Sequence, residues 1–479
     1  MKHKHFIRLW WASSFVVMLA LLSGCNNPFQ STTNNQNVTP SSQAANSFVT
    51  RSGSQLLLNG QPFRFAGPNI YWLGLEENTG SGICRGVSKE ACGYPSQFQV
   101  NDALATAKEM GATVVRAHSL GVSVGCSLCI EPSLGHFNAT ALKHVDYAIK
   151  MAGEMGLRLV IPLVDNYHYY HGGKHTFTDW RGISNENQFY TNKTVINDFE
   201  QYISTILNHV NSYTGIAYKD DPTILAWEEG NELTNVPVSW VSTLADYLKS
   251  IDPHHLVAFG AQHGLQSSTL SVANLDIEDE HEYPRNSATL NSDAATVIAQ
   301  KKAFYVGEFD WSKGQASGDA NSLSSFLSAI ETDGAVGDTF WSLFPHSDSH
   351  SYVQHNDGYT LHYPGDTSNM RARAQLLRTH AYKMAGKQVS ADGIPGSPLI
   401  TSVVGKKIAW RGTAFASTYS IERSLAGASG PWTLICKRCV TDNGSPWSDK
   451  TQPSTVVWYR VQAFNRAGVA GSFSTAYKK

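Results

Sequence analysis

The sequence predicts a (β/α)8 barrel followed by a small all-β sandwich. Three observations carry this reading. Between about residues 64 and 384, short apolar runs alternate with amphipathic helical stretches, and eight such runs can be counted. No Gly-rich phosphate turn follows any of the runs, so an open doubly wound sheet is the poorer fit. Beyond Gly386 the helical period gives way to strict alternation.

The order of elements follows from local signals. Residues 48–52 and 55–58 flank a turn, and Asn59-Gly60 leads into Phe63-Arg64-Phe65, a hairpin signal expected to cover the bottom of the barrel. Strands are expected at residues 64–73, 113–116, 157–161, 223–227, 256–259, 275–283, 303–311 and 338–343. Helices are expected at residues 100–110, 140–155, 195–210, 239–251, 294–302, 322–330 and 370–384. Gly111 and Gly156 supply the helix stops. Ile394-Pro395-Gly396-Ser397-Pro398 reads as a linker, and residues 418–423, 432–435 and 458–463 alternate as half-buried strands. The expected division is a leader at 1–25, a tether at 26–46, a barrel at 47–388, a linker at 389–398 and a sandwich at 399–479 that folds separately.

The chain is 479 residues long with a net charge of −2 and 16% charged residues, so no basic field invites nucleic acid. Lys2, Lys4 and Arg8 precede an apolar run too short to span a membrane, and Leu22-Ser23-Gly24-Cys25 follows it. That pattern is a secretory signal, and its ending resembles the bacterial lipobox, which makes Cys25 the expected site of a lipid anchor. An exported lipoprotein at the cell surface or outer membrane, or one released outside the cell, is the expected form. Residues 26–47 are almost wholly polar and read as a solvated tether. The other cysteines, Cys84, Cys92, Cys126, Cys129, Cys436 and Cys439, form three close pairs, which in an exported chain favours disulfides. Two Cys-x-x-Cys copies in different domains, with no His at finger spacing, do not make a zinc site.

Two strand ends carry the chemistry. The run Thr223-Ile224-Leu225-Ala226-Trp227 leads through Glu228-Glu229-Gly230 to Asn231-Glu232, and residues 303–307 lead to Glu308. A barrel brings both carboxylates to its C-terminal mouth. A carboxylate pair about 5–5.5 Å apart is what retaining glycoside hydrolysis requires. Arg116, His281 and Trp341 fall at strand ends of the same mouth. Two close carboxylates suppress each other's ionisation, so Arg116 is expected to keep Glu308 charged and leave the raised pKa to Glu232.

At these residues the chain resembles glycoside hydrolase family 5, most closely its endo-β-1,4-mannanases. The resemblance covers about residues 48–384 and extends through residues 207–215 and 218–228 and the loop of residues 163–174. In that loop the mannanases usually carry Trp where this chain has Tyr167. The resemblance implies a retaining enzyme acting on mannan-type β-linked polysaccharide, with Glu232 as acid/base and Glu308 as nucleophile. It further implies that Asn231 bonds the sugar 2-hydroxyl, that Arg116 orients the nucleophile, and that His281, Tyr283 and Trp341 bind substrate. Tyr71, Trp72, Asn166 and Trp311 complete the expected substrate-binding set. No metal or organic cofactor is implied, and the expected state is a monomer. Residues 459–468 resemble the last strands of a fibronectin type III module.

Other readings of the same residues stand beside these. Glu232 could lie near a helix N-cap, Glu308 could be a structural ion-pair partner, and Tyr283 a core aromatic. Arg116 could simply neutralise Glu228 or Glu229. Strand alternation sets Glu228 apart from its neighbours as structural. His346, His350 and His355 suggest a metal cluster at first sight, but without fixed spacing they read better as a polar cleft wall. The runners-up in function are another family 5 β-glycanase or an exo-β-glycosidase. A non-catalytic polysaccharide-binding lipoprotein is a third.

Overall fold

The computed structural model describes residues 47–77, 82–83, 91–262, 264–312, 321–355 and 357–479. The expected leader, Cys25, nearly all of the tether and Cys84 lie outside the described residues. Eight parallel strands form one sheet: β1 (Phe65–Pro68), β2 (Val114–Arg116), β3 (Arg158–Pro162), β4 (Ile224–Glu228), β5 (Leu256–Ala261), β6 (Ile277–Glu282), β7 (Ala303–Phe309) and β8 (Gly337–Phe340). They are hydrogen-bonded in the order β1-β8-β7-β6-β5-β4-β3-β2. A parallel bridge between Asn69 and Arg116 joins the two ends, with Ile70 N–H donating to the Arg116 carbonyl at 2.9 Å. The sheet is therefore closed, as the strand–helix alternation predicts.

Helices α1 (Gln97–Glu109), α2 (Ala139–Glu154), α3 (Lys174–Trp180), α4 (Lys193–Asn208), α5 (Val238–Ile251), α6 (Ser287–Ala299), α7 (Leu323–Asp333) and α8 (Ser368–Met384) connect the strands. Their starts are set by side-chain caps, Ser96 before α1 and Asn138, Asn192 and Asn286 before α2, α4 and α6. The described helices include none long and apolar enough to cross a membrane.

The hairpin Val49–Ser52 with Gln55–Leu58 covers the end of the barrel where the strands begin. Val49 and Leu56 pack into a cluster with Val114, Leu256, Ile277 and Ala303, each the first residue of its strand. One end is thus plugged with apolar side chains, leaving the opposite end for polar groups.

The C-terminal segment forms two antiparallel sheets over one core. Strands β9 (Leu399–Val404), β10 (Lys407–Arg411) and β13 (Trp447–Ser448) make one sheet. The other contains β12 (Thr433–Val440), β11 (Thr418–Ser424), β14 (Trp458–Phe464) and β15 (Ala470–Phe473), with β16 (Tyr477–Lys478) against β14. Tyr459, Val461 and Ala463 alternate inward along β14 and meet Ile408, Trp410 and Tyr419. Disulfides Cys126–Cys129 and Cys436–Cys439 close short loops, and Cys92 is also disulfide-bonded.

The histidines after β8 divide. His346 is buried between Asp102 of α1 and Asp442 of the C-terminal segment, and His350 Nε2 donates to the Gly444 carbonyl at 2.7 Å. Only His355 reaches the cleft. The expectation of a cleft wall holds for one of the three, because the loop carrying them folds between cleft and C-terminal sheets.

Candidate active site

The C-terminal ends of the strands open into a cleft of about 600 Å³. At its floor β4 ends and the chain turns through Gly230, where a Cβ would lie 2.8 Å from Val164 and Leu233 side-chain atoms. Asn231 N–H then donates to the Val164 carbonyl at 2.8 Å, and Glu232 takes a left-handed φ of 49°. Across the mouth, Glu308 sits on β7 in register with His281 of β6, after an irregularity between Glu280 and His281.

Arg116 organises the floor. It is fully buried and clasps Glu228 with two bonds, Nε to Oε2 at 2.8 Å and Nη2 to Oε1 at 2.6 Å. Its Nη1 reaches Glu308 Oε1 at 2.7 Å, and Nη2 also donates to Asn231 Oδ1 at 2.9 Å. The two sequence readings of Arg116, neutraliser of Glu228 and orienter of Glu308, are both realised by one planar fork. Asp279 stands 3.5 Å from Nε, and its Oδ1 accepts the Gly307 N–H at 2.6 Å. A Cβ at position 307 would lie 2.2 Å from that carboxylate.

Glu232 receives two hydrogen bonds, from His281 Nδ1 at 2.7 Å and from the Tyr167 hydroxyl at 2.6 Å. Gln262 Nε2 in turn donates to Tyr167 at 2.5 Å. His281 Nδ1 is also 3.6 Å from Glu308 Oε2, and the Tyr283 hydroxyl is 3.4 Å from the same oxygen. One oxygen of Glu232, one of Glu308 and a His281 nitrogen all lie within 4.8 Å of one another.

The electrostatics reverse one expectation. Burial opposes the His281 cation, but Glu308, Asp279 and Glu232 hold its pKa well above the ordinary value. Burial alone would raise Glu232, yet the hydrogen bonds from His281 and Tyr167 bring it below the usual carboxylate value. Burial raises Glu308, with His281 and Arg116 pulling the other way. Both shifts favour a protonated imidazole hydrogen-bonded to an ionised Glu232 over a protonated Glu232 carboxyl. His118 lies beside Arg116 Nη1 at 3.2 Å, and burial with that cation lowers its pKa to about 3, so it stays neutral.

The remaining expected residues separate into two groups. Tyr71 and Trp341 line the cleft, stacked with centroids 4.8 Å apart, and Trp341 Nε1 donates to Asp357 at 2.7 Å. Trp72, Asn166 and Trp311 do not line it. Trp72 donates to the Leu343 carbonyl, Trp311 donates to the Tyr359 carbonyl, and Asn166 accepts from Lys174 Nζ at 2.6 Å. These three brace the loops behind the wall. Lining residues that sequence reasoning did not assign to the site include His118, Asp165, Tyr169, His171, Gln262 and Tyr359, with Tyr167 noted only as a departure. The aromatic run Tyr167-His168-Tyr169-Tyr170-His171 was the available signal.

Two clusters of ligand-type residues occur among the described residues. In Glu232, His281 and Glu308 the imidazole Nδ1 is already hydrogen-bonded to Glu232 at 2.7 Å. In His168, His175 and Glu186 the two rings stack at 3.7 Å, so their lone pairs run parallel instead of converging, and Lys174 Nζ stands 3.9 Å from Glu186.

Comparison with known proteins agrees with the fold. An endo-1,4-beta-mannanase from Rhizomucor miehei is 24% identical, with 71% of this chain and 100% of that chain covered at a TM-score of 0.57. The endo-1,4-beta-D-mannanase of Thermotoga petrophila RKU-1 is also 24% identical, covering 67% of this chain and 100% of that one at a TM-score of 0.56. By sequence, mannan endo-1,4-beta-mannosidase 1 of Oryza sativa subsp. japonica is 28% identical over 69% of this chain and 86% of its own length. Mannan endo-1,4-beta-mannosidase 1 of Arabidopsis thaliana is 32% identical over 45% of this chain, and the chain spans about half of that relative's length, 50%. Residues 46–297 match the family described as GH family 5 beta-mannosidase-like, more than half of the chain, and the protein belongs to that family of glycoside hydrolases.

Proposed function

We propose that this glycoside hydrolase cleaves internal β-1,4-mannosidic linkages with retention of configuration, Glu308 acting as nucleophile and Glu232 as acid/base. The observation that carries the reading is the approach of Glu232 and Glu308 oxygens to within 4.8 Å. Inverting enzymes separate their carboxyl groups by about 6.5–9.5 Å to admit a water, and the shorter approach here supports retention. The printed names of the relatives support mannan as the substrate.

The steps follow from the hydrogen bonds. Arg116 holds Glu308 by one oxygen and leaves the other facing the cleft beside Tyr283. That free oxygen attacks the anomeric carbon, while the glycosidic oxygen leaves with the proton shared by His281 and Glu232. Sugar binding expels water from the pair, which favours the neutral tautomer with the proton on Glu232 over the ion pair. In the second half, Glu232 takes a proton from water, which attacks the anomeric carbon and releases Glu308. Asn231, fixed by Arg116, offers its amide to the sugar 2-hydroxyl. We read the C-terminal sheets as a fibronectin type III-like module. We further propose a monomer tethered to a membrane through lipid on Cys25.

The test joins substrate and mechanism. Reducing ends should be released faster from mannan and glucomannan than from cellulose or xylan, with the β-anomer formed first by NMR. Glu308→Ala should be nearly inactive on every substrate. Glu232→Ala should fail on polysaccharide but retain activity on an aryl β-mannoside, with azide giving the β-product. First-formed α-anomer, or full activity in Glu308→Ala, would overturn the assignment.

A further inference from the structure

The loop between β8 and α8 has two faces. Its tip is a narrow antiparallel turn, bridged between His346 and Tyr352, with Val353 N–H bonded to the Pro345 carbonyl at 2.9 Å. Its return limb runs back over the cleft and supplies His355, Asp357 and Tyr359 to the lining. Asp357 fixes the orientation of Trp341, and Tyr359 carries the bond from Trp311.

The tip is seized by the C-terminal sheets. His346 is 1% exposed, with Nδ1 at 2.9 Å from Asp102 and Nε2 at 3.1 Å from Asp442. Burial opposes the cation, but those two carboxylates push its pKa up to about 10. The Tyr419 hydroxyl bonds the same Asp442 oxygen at 2.5 Å. Ser351 Oγ donates to the Asp442 carbonyl at 2.6 Å, and Thr401 Oγ1 donates to the Ser349 carbonyl at 2.6 Å. Gly412 completes the fit, since a Cβ there would stand 2.4 Å from the His346 ring. The His346 ring stacks on Tyr352 at 4.3 Å, and Tyr352 stacks on His362 at 4.4 Å, which carries the clamp into the return limb.

We propose that the C-terminal module is a working part of the cleft, and that Asp442 is a positioning residue that holds the wall of His355, Asp357 and Tyr359 in place through His346. The module here is neither a detachable binding attachment nor a spacer. It bears on substrate through the β8–α8 loop, and it leaves Glu232 and Glu308 untouched. An isolated surface ion pair would contribute little, but breaking the contact of a buried histidine held between two carboxylates leaves a buried charge uncompensated. The inference rests on the glycanase reading of the cleft, so its test includes a measurement that needs no substrate.

The experiment uses the full chain. Asp442→Asn removes the charge on one side of His346 and keeps the side-chain shape. Amide hydrogen exchange across residues 353–361 should rise, and KM for soluble mannan should increase roughly three- to tenfold, the scale expected when positioning groups loosen. The kcat for an aryl β-mannoside and its pH profile should stay as in the parent. Arg423→Met is the control, because it breaks an ion pair with Asp449 inside the module and leaves the interface intact. It should lower the melting temperature with no change in KM or in exchange over residues 353–361. Should Asp442→Asn fail to fold, Thr401→Val removes a single interface bond and should give the same pattern at smaller amplitude. A melting temperature that falls with exchange and KM unmoved would reduce the clamp to mere attachment and overturn the proposal. Failure on mannan by the parent enzyme would sink the substrate reading alone, since the exchange result stands without it.

Discussion

Strand β6 and the end of β4 carry buried acids on both faces, and the two faces give them different partners. Inside the barrel, Glu228 and Asp279 surround Arg116, and His281 stands between Glu232 and Glu308. Outside, toward α5 and α6, Glu229 is fully buried with neither carboxylate oxygen hydrogen-bonded, and burial raises its pKa well above the usual value. Glu278 and Glu282 are pushed to about 8 and Glu280 to about 9, in each case chiefly by burial. Glu228 and Glu229 are adjacent in sequence, equally buried and of the same chemistry. What separates them is a guanidinium. Burial pushes both upward, and at Glu228 alone of the two a cation pulls the other way. That is where the chemistry sits.

The largest effect should come from removing the cation. Arg116→Met leaves Glu228 and Glu308 facing each other in a dry site. We expect a loss in kcat/KM of roughly a thousandfold or more, and a stability loss of about 3–5 kcal/mol by urea unfolding. Adding Glu228→Gln should recover part of the stability and none of the activity. If Arg116→Met unfolds no more easily than the parent, the inner acids do not depend on it and the contrast between faces fails.

The outer face should show itself in alkali. A carboxyl whose folded pKa is raised binds a proton that the unfolded chain releases above about pH 4.5. Its contribution to stability is therefore intact at acid pH and is lost as pH rises toward about 8 for Glu278 and Glu282 and about 9 for Glu280. Unfolding midpoints should fall between pH 6 and 9, and Glu280→Gln should flatten the decline. An unchanged slope in that variant would remove Glu280 from the account. Glu232, held low by His281 and Tyr167, has the opposite sign and loses its contribution as pH falls through its folded value.

The smallest effect tests a single hydrogen bond. Tyr167→Phe removes one of the two donors to Glu232, a change worth about 1 kcal/mol or roughly fivefold in kcat. The carboxylate becomes more basic, so the alkaline limb of the pH–rate profile should move upward. A limb that stays in place would mean that the His281 bond alone sets the proton on the pair.

Much of the barrel was legible because its strands are continuous apolar runs with turn signals around them. β6 is the exception, since Ile277-Glu278-Asp279-Glu280-His281-Glu282 has one apolar residue in six and is nonetheless a fully buried strand. Its place in the strand–helix alternation, rather than hydropathy, puts a strand at residues 275–283, because its acids are buried as neutral groups or paired with cations. Helix α3 was missed, being 7 residues long and following Gly173 with no side-chain cap bond. At the site, Glu232, Glu308 and Arg116 could be placed by strand topology. Gln262 could not, because its contact with Tyr167 crosses between loops with no shared spacing. The distribution of charge between Glu232 and Glu308 was expected the other way round, since the part of His281 as a third member of the pair depends on a 2.7 Å contact that sequence does not contain.

The left-handed backbone at Glu232 has a bearing on how such a chain can be improved. Its φ of 49° is one that glycine adopts freely and a glutamate adopts at a cost of order 1–3 kcal/mol. The carboxylate that reaches the cleft is thus also a site where the fold carries strain. A screen that rewards heat resistance alone would favour replacing it, and would select steadily toward a sturdier protein with nothing to do.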